Sequence, residues 1–298
     1  MAESPNLGYL FYYKYFRNER LGPIDWKDLE KKSKGSENDK KDVTQVFQAK
    51  NRELTRHALR QFHSPVLPWL SEKPEDGQVF YLTTTGQGLL VGSGYTHETR
   101  LLNEFKLGFY FDHSSGLPII PGSSVKGALR SPFILAPGFV IEIWDNMRRD
   151  ALEKAPQEHL DETLKAWPRL DAAGLEEVEM EIFGARPRQQ GTEENGRKGR
   201  DIFYEAVPVS VSGSSEGLLL GNDYITPHIN RKNRALDAVT DPTPLQFLKV
   251  LPGVCFRFQF ELTDGILRKG QKLELFRQII SQLGVGAKTN TNYGHFTD

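Results

Sequence analysis

The sequence predicts a mixed α+β fold. Two segments, IFYEAVPVSV (202–211) and VCFRFQFEL (254–262), alternate their side chains with the period of two that is typical of half-buried strands. Residues 145–180 instead place charged and apolar side chains at helical spacing. Because strands and helices do not follow one another in strict βαβ order, we expect an α+β arrangement.

The N-terminal third predicts a polar loop, a helix and two strands. Polar residues 33–42 separate an aromatic-rich N-terminus from a helix near 42–62. Apolar and β-branched residues interrupted by glycines predict a strand within 79–94, and residues 105–112 predict another.

Further along the chain, a proline-glycine turn precedes a predicted helix, and GFVIEIW (138–144) predicts a strand or a buried connection. Residues 186–201 lack apolar anchors and predict a flexible loop with a basic excess. The last helix is predicted at 272–283, with Gly284 as its C-terminal cap. Its predicted buried stripe consists of Leu273, Phe276, Ile280 and Leu283.

The composition limits the function classes. Lys plus Arg total 38 and Asp plus Glu total 39 of 298 residues, which disfavours non-specific nucleic-acid binding but leaves room for a local basic groove. The single cysteine, Cys255, excludes an intrachain disulfide framework and suits a reducing compartment. Without a secretory signal or a membrane-length apolar run, we expect a soluble, cytoplasmic protein.

The segment GLPIIPGSSVKGALRS (116–131) combines a turn with hydroxyls and cations at the start of a helix. Ser123 or Ser124 is predicted to cap the exposed N–H groups of that helix. Lys126 and Arg130 share one helix face, and a nearby anion would relieve their repulsion. Oriented N–H groups, hydroxyls and a glycine form a reasonable phosphate site, although the segment alone favours simple capping.

Three enzyme motifs match this chain only in part. Ser123 and Lys126 have S-x-x-K spacing, but the companion motifs of penicillin-binding enzymes are missing. Gly122 and Gly127 have the spacing of a Walker A loop, but Ala128 occupies the position of its lysine. The GSSEG segment (213–217) lacks the strand–turn–helix context of a nucleophile elbow.

The segment LGVGAKTNTNYGHF (283–296) is the second candidate site. Its glycines allow positive φ and close backbone approach. A cation, polar side chains and an aromatic ring suit a phosphodiester backbone with a stacked base, whereas an ordinary helix-to-strand connection is the alternative. The candidate residues are Gly284, Gly286, Lys288, Thr289, Asn290, Asn292 and Tyr293.

Acid–base and stacking candidates lie elsewhere. Asp112 and His113 precede the first segment and are candidates for a general acid/base or metal site, although a surface or capping pair is favoured. The seven histidines form no metal-binding spacing, and we expect no metal and no cofactor. Aromatic residues near the N-terminus can stack on bases or dock on a partner, and core packing is slightly favoured: Tyr9, Phe11, Tyr12, Tyr13, Tyr15 and Phe16.

Taken together, the two segments resemble the RAMP superfamily of CRISPR proteins, and more narrowly the subunit-six group of type III-B (Cmr) effector complexes. The elements GSG (92–94), IFG (182–184), FYEAVPV (203–209) and DYITPHI (223–229) support the resemblance. It extends from about residue 80 to the C-terminus, and the first 75 residues match the family only as an aromatic-rich extension.

The resemblance implies a ferredoxin-like (RRM-type) core over residues 76–298, with insertions at about 145–200 and 212–245 and an N-terminal extension (1–75) packed on it. It also implies a non-catalytic subunit that caps the complex backbone near the crRNA 3′ end and helps to hold crRNA and target RNA. Other implied partners are the Cas7-like backbone subunits and the small subunits, with no membrane contact.

By matching position, the resemblance puts Ser123, Ser124, Lys126 and Arg130 along the RNA backbone, beside the glycine-rich loop of the second segment. Inserted loops that can face RNA carry Arg186, Arg188, Arg197, Lys198, Arg200, His228, Arg231, Lys232 and Arg234. A metal-dependent endoribonuclease that uses Asp112 is the alternative, because related backbone subunits cut RNA with a loop aspartate nearby. A protein-only assembly subunit is a third possibility.

Overall fold

The computed structural model describes residues 5–18, 22–23, 25–62, 78–96, 101, 103–105, 107–185, 198–213, 217–225 and 245–298. The chain divides into two compact units, and each unit consists of three segments that are separate in the sequence. Unit 1 contains Met1–Leu70, Gly86–Ile119 and Pro208–Cys255, and unit 2 contains Ser71–Thr85, Ile120–Val207 and Phe256–Asp298.

Helices and strands alternate irregularly along the described residues. The helices are α1 (Leu7–Tyr12), α2 (Trp26–Ser33), α3 (Glu37–Thr55), α4 (Gly122–Leu135), α5 (Pro137–Lys154), α6 (Leu160–Ala166), α7 (Ala172–Phe183) and α8 (Lys269–Leu283). The strands are β1 (Arg17–Asn18), β2 (Gly22–Pro23), β3 (Val79–Thr84), β4 (Gly92–Thr96), β5 (Leu107–Phe109), β6 (Ile202–Phe203), β7 (Val207–Val211), β8 (Leu220–Ile225), β9 (Leu245–Val250), β10 (Val254–Glu261) and β11 (Phe296–Thr297). Short 3₁₀ turns lie at Lys14–Phe16, Leu59–Gln61, Gln157–His159 and Thr289–Thr291.

Unit 1 is built around α3 and two antiparallel strand pairs, β4 with β5 and β8 with β9. A capping box starts α3, in which Ser36 and Asp39 satisfy each other's backbone N–H groups. The helix then buries Val43, Phe47 and Leu54 and packs against β8. A regular hairpin ladder joins β8 to β9 from Leu220↔Val250 to Ile225↔Leu245.

Unit 2 places helices against a sheet whose strands lie in the order β11-β3-β10-β6. Helix α8 packs against β3, β11 and α4. Between helices and sheet lies an aromatic cluster in which Phe203 contacts Phe183, Phe260 and Phe276 with ring centroids 5.4–5.8 Å apart. This burial of large apolar surface is the main source of stability for the unit.

A buried ion-pair network also crosslinks unit 2. The ammonium of Lys272, on α8, has no exposed surface and lies 2.8 Å from Asp201 Oδ2 and 3.4 Å from Glu181 Oε1. It also donates to the Thr263 carbonyl oxygen at 2.9 Å, while Asp201 accepts the Thr263 N–H at 2.8 Å. The network therefore ties α7 and α8 to the segment before β6.

The predicted mixed α+β class is confirmed, and so is the strand at 254–262. The prediction of a strand or buried connection at 138–144 is wrong, because these residues belong to α5. Pro137 starts that helix, and the buried residues Val140, Ile143 and Trp144 follow at helical spacing. A short apolar run does not distinguish a buried strand from a buried helix segment.

Two other elements have boundaries that differ from the predicted ones. The segment 79–94 forms two strands rather than one, since Gly86 and Gly88 adopt positive φ between β3 and β4. The final helix starts at Lys269, and its apolar stripe consists of Leu275, Phe276, Ile279 and Ile280, whereas Leu283 is 41% exposed.

Several predictions fall partly outside the described residues. The predicted boundary at residue 75 lies there, as do residues 186–197, 214–216 and 226–244 of the predicted insertions. The ferredoxin-like topology stays a prediction. Among the residues that the structure describes, no helix combines the length and the apolar character needed to cross a membrane.

Candidate nucleic-acid interface

The first candidate segment enters unit 2 through a backbone bridge. The N–H of Ile120 donates to the Ala206 carbonyl at 3.0 Å, and the reverse bond measures 2.9 Å. Helix α4 follows directly, and a Cβ added to Gly122 would lie 2.3 Å from the Phe203 carbonyl oxygen. Gly122 is therefore required by close packing of α4 on β6.

The predicted serine cap of α4 is wrong. Pro121 occupies the N-cap position, and no side chain caps the helix. The N–H groups of Ser124 and Val125 instead donate to the Pro121 carbonyl at 2.8 and 3.0 Å. Ser123 is exposed and Ser124 half-buried, so both hydroxyls lie in the first turn without the capping role.

The two faces of α4 differ sharply. Val125 and Leu129 are fully buried, while Gly127 is exposed and no described atom lies within 4 Å of a Cβ built on it. Half-buried Lys126 lies between these faces, with its Nζ 5.7 Å from the centroid of the Phe203 ring. An aromatic face attracts an ammonium, so Phe203 helps to orient the Lys126 side chain.

Arg130 is engaged in a structural contact. Its Nε lies 2.6 Å from Glu179 Oε1, and its Nη2 donates to the Gly184 carbonyl at 2.8 Å. The Glu179 side chain is only 1% exposed, so the guanidinium neutralises a buried carboxylate. Among the residues predicted along the RNA backbone, Arg130 thus fixes α4 to α7.

Two glycines close the base of the C-terminal loop. Gly284 and Gly294 have φ of 75° and 69°, and the Val285 N–H donates to the Gly294 carbonyl at 2.9 Å. A Cβ on Gly284 would lie 2.4 Å from the Gly294 oxygen, and one on Gly294 would lie 2.1 Å from the Val285 oxygen. Both positions need glycine for conformation and for space.

The tip of this loop presents polar groups. Gly286, Lys288, Asn290 and Asn292 are exposed, and Thr289 is half-buried. Lys288 and Asn292 adopt left-handed φ of 62° and 68° on either side of the Thr289–Thr291 turn. Left-handed backbone is uncommon for residues other than glycine and is enriched at binding sites.

Tyr293 does not offer a stacking surface. Its side chain is only 7% exposed and lies at the base of the loop. The expectation that this ring stacks on a base is therefore corrected to a packing role, because a base needs an open ring face.

Helix α4 of the first candidate segment and the C-terminal loop belong to the same unit. In unit 2, α4 packs against α8, and the C-terminal loop continues directly from the end of α8. Lys126 and Lys288 are thus carried by neighbouring elements although they are far apart in the sequence.

Asp112 and His113 form part of a turn in unit 1. The side-chain carboxylate of Asp112 accepts a hydrogen bond from the Ser115 N–H at 2.6 Å. The backbone carbonyl of Asp112 accepts one from the Gly116 N–H at 2.8 Å. The His113 carbonyl accepts a bond from the Asn6 side chain at 3.0 Å. This geometry matches the capping alternative and gives Asp112 a local structural partner.

The candidates in the inserted loops fall in two groups. Lys198 forms an isolated bridge with Gly184, and Arg200 Nη1 lies 3.6 Å from Glu181 Oε2. Outside the described residues lie Arg186, Arg188, Arg197, His228, Arg231, Lys232 and Arg234. Asp223, from the DYITPHI element, accepts the Lys249 ammonium at 2.6 Å.

Sequence reasoning missed how Phe203 takes part in this site. Its ring lies beneath Lys126 and its carbonyl touches Gly122, so it supports the first segment from β6. The FYEAVPV element contains Phe203, yet its relation to α4 depends on tertiary pairing that no local pattern reveals.

Comparison with known proteins decides the family, because the model of the RAMP superfamily matches residues 81–297. The chain belongs to the RAMP superfamily. Both candidate segments lie within the matched residues.

A known relative agrees with this assignment. The CRISPR system Cmr subunit Cmr6 of Pyrococcus furiosus is 26% identical over 240 residues, covering 72% of this chain. The match spans 66% of that relative, slightly less than two thirds of its length.

Solved structures extend the fold comparison. A chain in the cryo-EM structure of the type III-B Cmr-beta bound to cognate target RNA superposes with a TM-score of 0.56 and 23% identity, covering 88% of this chain and 75% of that one. The crystal structure of Cmr6 from Pyrococcus furiosus gives a TM-score of 0.38 and 23% identity, covering 74% and 97%. The first of these matches establishes a shared fold.

Proposed function

We propose that this RAMP protein is a non-catalytic RNA-binding subunit of a type III-B CRISPR ribonucleoprotein effector. In this role it caps the backbone of the complex near the crRNA 3′ end and helps to hold crRNA and target RNA. Its partners are the Cas7-like backbone subunits and the small subunits of the same complex. Family membership and the similarity to Cmr6 support the type of complex.

One observation carries the RNA assignment. Exposed polar groups at the start of α4 and at the tip of the C-terminal loop belong to one unit, on elements connected through α8. Lys126 and Lys288 supply positive charge, while Gly127 and Gly286 let a backbone approach. Cations and N–H groups suit phosphate oxygens, so we expect binding that depends little on base identity.

The residues do not favour the endoribonuclease alternative. Asp112 accepts a backbone N–H within its own turn, which accounts for an aspartate at that position. We therefore expect Asp112→Ala to leave target cleavage by the assembled complex unchanged. Loss of cleavage in that variant would replace the proposed role with a catalytic one.

The test is crRNA retention in the co-expressed complex. Lys126→Ala combined with Lys288→Ala removes both candidate phosphate contacts and touches no described ion pair of either side chain. Charge-assisted hydrogen bonds contribute about 1.5 kcal/mol or more each, so we expect roughly a hundredfold weaker crRNA binding. The matched control is Lys154→Ala with Lys165→Ala, which removes the same charge from exposed positions of unit 2.

The outcomes separate the functions. Lower crRNA occupancy in the Lys126/Lys288 variant, with normal subunit composition and an unaffected control, is the expected result. Unchanged crRNA occupancy would contradict the RNA groove and favour a subunit that contacts protein alone.

A further inference from the structure

The N-terminal segment of unit 1 has a buried face and an exposed aromatic face. Leu7 and Phe11 are fully buried, and Tyr15 is 2% exposed. Tyr9 and Tyr13, in contrast, are 54% and 43% exposed. Tyr12 is also 43% exposed, so the fold keeps three tyrosine rings of this segment at the surface although Phe11 and Tyr15 pack inward.

The exposed rings form an ordered stack. The centroids of Tyr9 and Tyr13 lie 5.0 Å apart with an interplanar angle of 29°, and the Arg17 guanidinium carbon lies 4.1 Å from the Tyr13 centroid. These three residues, four positions apart in sequence, are called the tyrosine stack below. Planar groups in such a row present flat surfaces on which a nucleobase can stack.

Polar contacts with the rest of unit 1 hold the tyrosine stack in place. The Tyr12 hydroxyl donates to the Phe109 carbonyl and accepts the Phe109 N–H at 3.0 Å. The Tyr15 hydroxyl donates to Asn51 Oδ1 at 2.7 Å, and the Asn6 side chain caps α1. Because its inner face is anchored, the segment loses little conformational freedom when a ligand binds its outer face.

Positive charge adjoins the tyrosine stack. Lys50, on α3, donates to the carbonyls of Lys14 and Arg17 at 3.1 and 2.8 Å, which holds the end of the stack against the helix. Next to it lies a surface cavity of about 520 Å³ in which Lys14 pairs with Glu53 at 2.9 Å, so that the exposed Arg52 and Arg56 are its remaining cations. The lining residues are Lys14, Ala49, Arg52, Glu53 and Arg56.

We propose that the tyrosine stack and this cavity form a second contact surface for single-stranded RNA, separate from the site in unit 2. A base stacks on the outer face of Tyr9 at the end of the row, because Tyr13 already lies between Tyr9 and the Arg17 guanidinium. The cations of the cavity attract the phosphates that follow. A protein partner is the less suitable occupant, because the flanking groups are cations rather than aliphatic side chains. Stacking rings beside a basic groove are the arrangement by which proteins hold single strands without reading sequence.

The test uses the full chain with a 12-nucleotide RNA that carries 4-thiouridine, crosslinked by ultraviolet light and mapped by peptide mass spectrometry. We expect adducts on Tyr9 or Tyr13. Tyr9→Ala with Tyr13→Ala is expected to weaken binding of this RNA at least about tenfold, since alanine substitution removes the stacking of one or more bases. Tyr224→Ala, which removes a ring that is 50% exposed elsewhere in unit 1, is the matched control.

An abasic RNA of the same length distinguishes stacking from charge. The tyrosine variant should bind the abasic RNA as the unaltered chain does, whereas Arg52→Gln with Arg56→Gln should weaken both RNAs. Adducts that avoid residues 9–17, or equal affinity of the tyrosine variant and the unaltered chain, would overturn the proposal. Normal RNA affinity with impaired assembly into the complex would instead identify the tyrosine stack as a protein contact.

Discussion

The two glycines of α4 are expected to respond in opposite ways to the same substitution. At Gly127 a Cβ meets no described atom within 4 Å, and alanine is the better helix former by about 1 kcal/mol. Gly127→Ala should therefore raise the free energy of unfolding by about 0.5–1 kcal/mol. At Gly122 the Cβ would lie 2.3 Å from a backbone oxygen, so Gly122→Ala should destabilise by about 1–3 kcal/mol.

Urea denaturation followed by circular dichroism measures both changes. If Gly127→Ala lowers the unfolding free energy as Gly122→Ala does, Gly127 has a packing role and the reasoning about α4 is refuted. The same result would remove the argument that its exposed surface is kept clear for a ligand.

RNA binding completes this prediction. Gly127→Gln places a neutral, flexible side chain on the exposed face beside Lys126, where it should obstruct a phosphate backbone. If this obstruction costs one charge-assisted hydrogen bond to phosphate, the affinity for crRNA should weaken about tenfold. Fluorescence anisotropy with labelled crRNA detects such a change. Folding should be nearly unaffected, because glutamine is a good helix former. Unchanged affinity would show that no RNA passes close to this position.

The remaining predictions concern stability. Lys272→Met should lower the free energy of unfolding by about 3–5 kcal/mol, because it leaves buried carboxylates without their cation. The control Lys269→Met, at an exposed position, should change it by less than about 0.5 kcal/mol. Calorimetry that finds similar effects for both variants would contradict the role of the network. Burial raises the pKa of Tyr15 far above its ordinary value of 10.0. The contribution of Tyr15 to the free energy of unfolding is therefore complete below pH 10 and is lost as the pH rises toward the folded-state pKa. Between pH 10 and 11 the stability of the unaltered chain should fall more steeply than that of Tyr15→Phe, by up to about 1.4 kcal/mol per pH unit, and equal slopes in urea titrations would refute this.

Local patterns predicted the long elements and failed where tertiary context decides. The period-two run of β10 and the helical spacing of residues 145–180 are sufficient for the α+β class. The run 138–144 was ambiguous because it is apolar on more than one side, and only Pro137 signals a helix start. The division into two interleaved units depends on contacts between distant segments.

The sequence predicts which residue types form the candidate site but not the structural role of each residue. Sequence spacing alone does not separate Gly122, which packs on a carbonyl, from Gly127, which is exposed. The family resemblance puts Arg130 along the RNA backbone, whereas a buried glutamate is its partner in the fold. Tyr293 is an aromatic residue in a polar loop, but its ring is buried in the fold.

The salt dependence of crRNA binding tests the central claim most directly. Removing one cation that neutralises a phosphate of a single strand makes the slope of log K against log salt shallower by about 0.7. We predict that Lys126→Ala with Lys288→Ala makes this slope shallower by about 1.4, while the Lys154/Lys165 control leaves it unchanged. An identical slope for both double variants and the unaltered chain would contradict the account of unit 2 as an RNA-binding site.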